Sequence, residues 1–163
     1  MRTSRLFILI MLAYLVQTIV VSRFAVLGVR ADLLLILTAL YAVSFGAEKG
    51  FLVGLLCGSI QDIFGTTFFA HTIPFALLGF LIGTFKESVF GTEESVALTA
   101  VFVATVTNYI FELMFLFFFF GRPLAPPLVL LVTVIISCLY NSVLAPLIYP
   151  LIRSSSRFLA AEQ

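Results

Sequence analysis

Two acids stand inside apolar runs of this sequence: Asp62, in "GSIQDIFG", and Glu112, in "TNYIFELMF". A lone charge at the centre of a bilayer costs about 2.5–3.5 kcal/mol on insertion scales, so such residues face protein and have a partner. Three kinds of chemistry suit them. Each can be a structural acid, paired with an arginine or capping the amides of a loop. Each can contact a docked partner. Each can be a proton or ion site. The candidate partners are Arg23, Arg30, His71 and Arg122, with Arg122 also a candidate loop anchor. Asn108 lies one helical turn before Glu112, and Asn141 is the polar residue of the last apolar run. A proton relay calls for ionisable groups in series across the membrane. The inner half offers only Asn141 and hydroxyls, which weakens that reading. His71 is the only histidine, and the cysteines, Cys57 and Cys138, form no CxxC or Cys/His cluster. Neither a metal site nor a disulfide framework follows. No Ser or Cys has a base at a recognisable spacing, so nucleophilic catalysis has no support. No cofactor site is expected.

The elements that hold these residues follow from composition. The chain has 163 residues, 62% hydrophobic and 10% charged, and its mean hydropathy is +1.21. Soluble domains are about 25% charged, so this chain reads as an all-α polytopic membrane protein with one transmembrane domain over 1–163. A bilayer core about 30 Å thick needs about 20 apolar helical residues. Six spans are expected, near 6–22, 32–46, 50–66, 72–86, 96–120 and 127–150, or five if the second and third form a re-entrant pair. The second and third are short and join through "SFGAEKG". Pro74 suits the first turn of the fourth, where its missing N–H has no helical partner. Pro146 and Pro150 are expected to kink or end the sixth. Arg2 and Arg5 precede an apolar run with no small-residue cleavage site, so the first span reads as a retained helix. With the N-terminus inside, six Lys or Arg face the cytoplasm (Arg2, Arg5, Lys49, Lys86, Arg153, Arg157) and three face out (Arg23, Arg30, Arg122). That asymmetry puts both termini in the cytoplasm. The Phe115–Phe120 run is a lipid-facing or packing stretch.

Glycines surround the first acid. Gly50, Gly54 and Gly58 recur every four residues, and the same register reaches Asp62. Gly79 and Gly83 repeat the step in the next run. In lipid, helices associate by close van der Waals packing, and small residues let backbones approach. A tight pair of third and fourth helices is expected, with a docking face for another protein's helix as the alternative. Each four-residue step drifts by about 40°, so Asp62 lies about 120° from Gly50 and about 18 Å further along the helix. That places it near the edge of the glycine face, in the outer half. Glu112 also falls in the outer half, and Asn141 nearer the inside.

Residues 31–83 resemble the rod shape-determining protein MreD family. Asp32, with Arg122 a candidate loop anchor, opens the second span as an Asp does in that family. Glu48, Lys49 and Gly50 match its short charged turn. The stretch "GLLCGSIQDIFG" matches its glycine–Asp–Phe–Gly pattern through Gly54, Gly58, Asp62, Phe64 and Gly65. His71, followed by an apolar span with Gly79 and Gly83, matches the segment after it. Ala31 stands where the family usually has Pro, and "TTFF" after Gly65 departs from its smaller residues. The resemblance implies a non-enzymatic inner-membrane protein of the bacterial elongation machinery, which builds lateral peptidoglycan and maintains rod shape. It implies direct binding of MreC, and action with MreB, RodA and penicillin-binding protein 2. It also implies a six-helix bundle similar to the S components of energy-coupling factor transporters. Two functions therefore stand: a membrane scaffold, or a small-molecule-binding S component. The scaffold predicts a glycine face and little polar cavity. The S component predicts a polar or aromatic cavity lined from several helices, to which Asp62, His71, Asn108 and Glu112 would contribute.

Overall fold

Leu33–Phe45 form the helix around which the others are arranged. In the computed structural model, which describes residues 2–65, 69–86, 91–121, 123 and 125–160, six α-helices follow one another. They are α1 (Arg2–Ile19), α2 (Leu33–Phe45), α3 (Ala47–Gly65), α4 (Thr72–Phe85), α5 (Glu93–Phe120) and α6 (Pro127–Ala160). A short 3-10 turn, Val21–Phe24, follows α1. No β-strand occurs among the described residues; Val26 and Val29 pair as an isolated bridge.

The sequence of α2, "LLLILTALYAVSF", is apolar all round. Such a helix is stable only when surrounded, and α2 contacts α1, α3, α4, α5 and α6. Leu34, Ile36, Ala39, Leu40 and Ala42 are fully buried. Ile10, Val53, Phe75, Val101 and Ala145 close on them from the five neighbours. Outward, the helices are greasy: Phe118, Phe119, Val143 and Leu147 are exposed apolar side chains. An apolar exterior of this kind suits lipid rather than water.

Three helices are long and apolar enough to cross a membrane: α1 with its 3-10 extension (Leu6–Phe24), α5, and Pro127–Ile152 of α6. The expectation of six spans is thus met only in part. At about 1.5 Å per residue, α2 with 13 residues and α4 with 14 reach about 20 and 21 Å, short of a 30 Å core. Helix α3 has 19 residues but carries Glu48, Lys49 and Asp62. The short α2 is tolerable because its neighbours enclose it: nine of its 13 residues are buried. The sixth helix also differs from expectation. It runs through Pro146 and Pro150 to Ala160. Each proline deletes one backbone bond, yet Ala145 and Ile152 remain buried and Ile148 and Tyr149 pack on the core. The Tyr149 hydroxyl also donates to Glu93 at 3.3 Å, which ties α6 to the start of α5.

The α2–α3 junction is one residue, Gly46. Its φ of 89° is left-handed territory, which glycine enters without a Cβ penalty. Its N–H closes α2 onto the Ala42 carbonyl, and its own carbonyl accepts from Gly50 to start α3.

Candidate functional site

The α3–α4 pair is antiparallel and glycine-lined. A Cβ added at Gly50 would come within 3.0 Å of the Gly79 carbonyl, and one at Gly54 within 3.0 Å of the Phe75 carbonyl. Gly58 faces Thr72 and His71, and Gly83 faces Ala47. These neighbours are backbone, which cannot rotate aside. The glycine faces are therefore filled by each other, and no second helix can seat on them. Of the two uses open to Gly50, Gly54, Gly58, Gly79 and Gly83, the geometry is that of intramolecular packing.

Asp62 completes the same seam. Its side chain reaches the first turn of α4, where the leading N–H groups have no helical acceptor. Oδ2 accepts from the Thr72 N–H at 2.8 Å and from the Thr72 hydroxyl at 2.6 Å. Oδ1 accepts from the His71 N–H at 3.0 Å and contacts His71 Nδ1 at 2.9 Å. Asp62 is 8% exposed, so these bonds form away from solvent. This is a helix cap supplied from the neighbouring helix, favoured further by the partial positive charge of a helix N-terminus. Both oxygens are engaged, the arrangement of a structural acid.

The start of α2 is served by three side chains. Asp32, its N-cap, accepts from the Leu35 N–H at 3.0 Å. Gln17 of α1 accepts from the Leu34 N–H at 3.2 Å through Oε1. Asn141 of α6 accepts from the Asp32 N–H at 3.0 Å and donates from Nδ2 to Thr105 Oγ1 of α5 at 2.9 Å. Gln61 of α3 donates to the Asp32 carboxylate at 3.1 Å. Where water is scarce every backbone group needs an internal partner, and α2 obtains its partners from α1 and α6 as well as from its own cap.

Beside this network lies a cavity of about 430 Å³. Its floor includes the buried Asn108 and Asn141, and its mouth the exposed Ala25, Gly28 and Arg30. Asp32, Gln61, His71 and Glu112 also line it. Asp62 does not: it sits behind His71, sealed in its cap. The two acids thus part company. Asp62 is engaged in structure, whereas Glu112 lines the cavity and forms no hydrogen bond or ion pair among the described residues.

Asn141, expected among the polar or cavity residues with Asn108 and Glu112, accepts from the Asp32 N–H and lines the cavity with Glu112. The chain enters the bundle before α2 begins, with Ala31 fully buried. The short α2 therefore starts at the level of mid-α6. Arg122, expected as a partner or loop anchor, lies outside the described residues. Gln17, Gln61 and Thr105 were not singled out from the sequence. Their signal was there, since Gln17 and Gln61 are amides inside apolar runs, but it is missed when only charges are weighed.

The chain matches no family model, no curated protein and no solved structure.

Proposed function

We propose that the chain is a non-enzymatic membrane scaffold of the bacterial cell-elongation machinery, similar to MreD proteins. In this reading it lies in the inner membrane as a six-span bundle with both termini in the cytoplasm. It binds MreC directly, and supports lateral peptidoglycan synthesis with MreB, RodA and penicillin-binding protein 2. One observation carries the proposal. The residues behind the resemblance form a single packed unit, α2–α3–α4, rather than a scattered set. Asp32 caps α2, Gly50, Gly54 and Gly58 seat α4, Gly79 and Gly83 receive α3, and Asp62 caps α4 through His71 and Thr72. A spacing that recurs because it builds one rigid seam has a physical reason to mark a family. Because that seam is closed, MreC would dock on another face.

The scaffold's expectation of little polar cavity is not met, and the cavity of about 430 Å³ favours a second reading, a small-molecule-binding subunit similar to the S components. The discriminating experiment is purification from native membranes in mild detergent, with mass spectrometry of the bound proteins. Recovery of a single-span, mostly periplasmic partner with RodA or penicillin-binding protein 2 supports the scaffold. Recovery of a membrane coupling subunit with paired ATPases overturns it in favour of the S component.

A further inference from the structure

The cavity walls hold hydrogen-bonding capacity that the protein leaves unused. Gln61 donates from Nε2 to Asp32, and a carboxylate only accepts, so the amide orientation is set. Gln61 Oε1 is then a buried acceptor with no partner. Asn108 is 7% exposed, and its Oδ1 is likewise buried and unpartnered. Both residues line the cavity. Buried polar atoms are nearly always satisfied in native proteins, and an exception calls for a cause such as an absent ligand.

Charge narrows the class. Asp32 and Glu112 both line the cavity, and Arg30 lies at its exposed mouth. Among the described residues, the Arg30 guanidinium donates one hydrogen bond, to Ser22 at 3.5 Å. The interior thus presents two carboxylates, two orphan acceptors and the His71 ring, whose Nδ1 is taken up by Asp62, with the Arg30 cation outside them. Its complement donates hydrogen bonds and carries positive charge at its inner end, with negative charge at its outer end. Among the described residues no three His, Cys, Asp or Glu are grouped so as to hold a metal ion. About 430 Å³ equals some fourteen waters at about 30 Å³ each, and falls within the roughly 300–1,000 Å³ of small-molecule sites.

We propose that this cavity binds an ammonium-bearing zwitterion of the aminoalkyl-phosphate type. The ammonium lies among Glu112, Asn108 Oδ1 and Gln61 Oε1, and the anionic group at Arg30. The same chemistry has two sources: a free small molecule, or the ethanolamine-phosphate headgroup of a membrane lipid. The proposal goes beyond the scaffold reading and does not rest on it. A scaffold or a transporter subunit can hold such a ligand, and co-purification can fail while binding holds.

The test uses the full chain. Isothermal titration with phosphoethanolamine and with ethanolamine, at pH 7 in mild detergent, reads the free ligand. Native mass spectrometry after reconstitution in discs of equal phosphatidylethanolamine and phosphatidylglycerol reads the lipid. Saturable binding of phosphoethanolamine assigns the free source. Selective retention of phosphatidylethanolamine without binding of the free headgroup assigns the lipid. In either case Glu112→Gln should weaken binding about tenfold or more, since a charged hydrogen bond is lost. Arg30→Gln should weaken phosphoethanolamine and leave ethanolamine unchanged. If no probe binds and neither lipid is preferred, water fills the cavity and the proposal fails. It fails equally if Glu112→Gln binds as the parent does. Should that variant not fold, Asn108→Ala, which removes an unpartnered acceptor, carries the same expectation.

Discussion

Replacing Asp62 by alanine removes the cap that joins α3 to α4. Four donor contacts disappear at once: the His71 and Thr72 N–H groups, the Thr72 hydroxyl and the His71 ring. The hydroxyl and the ring can turn to other acceptors, and His71 already borders the cavity. The two backbone N–H groups cannot turn. An unsatisfied buried donor costs about 1–3 kcal/mol, so two of them cost about 2–6 kcal/mol. For a chain of 150–250 residues each kcal/mol moves the melting temperature by about 2–4 °C. A mid-range loss of about 4 kcal/mol corresponds to a fall of about 8–16 °C. Asp62→Asn should fall less. It keeps one oxygen for two of the donors but turns an NH2 group toward another. A thiol-reactive fluorogenic dye provides the assay, because Cys57 and Cys138 are both buried and free. The dye reports their exposure as the detergent-solubilised protein is heated. If Asp62→Ala melted within about 1 °C of the parent, the cap would not bear on stability and the structural role of Asp62 would be wrong.

Three further outcomes follow from the packing. Gly54→Ala drives a methyl into the Phe75 carbonyl and should cost about 1–3 kcal/mol, the range of overpacked cores; the same dye melt measures it, and an unchanged melt removes the tight-pair argument. Asn141→Ala strips the acceptor from the Asp32 N–H and the donor from Thr105, at a site 2% exposed. A loss of about 2–4 kcal/mol is expected, with faster amide hydrogen exchange at the start of α2; unaltered exchange there would count against the cap. Gly46→Ala meets no atom within 4 Å but must hold φ at 89°. Its expected cost of about 1–3 kcal/mol is backbone strain alone, and stability equal to the parent's would show that the junction relaxes freely.

The membrane class was legible in composition, because so few charges cannot clothe a soluble surface. Helix positions were legible too, since each apolar run is bounded by glycine, proline or charge. The four-residue glycine register pointed to a close helix pair because its cause is local: only a missing Cβ lets two backbones approach. The same register carried Asp62 to the edge of that face, next to the helix start it caps. Beyond that pair, the sequence could not show which runs meet. That α2 lies at the centre depends on the five helices around it, and their enclosure is what allows it to be shorter than a bilayer is thick. The meeting of Asn141, separated by 109 residues from Asp32, depends on how deep α2 begins. That depth is decided by packing, because a helix start without water settles where side chains from other helices can take its N–H groups. The contrast between Asp62, satisfied, and Glu112, facing a cavity, arises in the same way. Both are acids in apolar runs, and tertiary structure alone brings donors to one and leaves the other open.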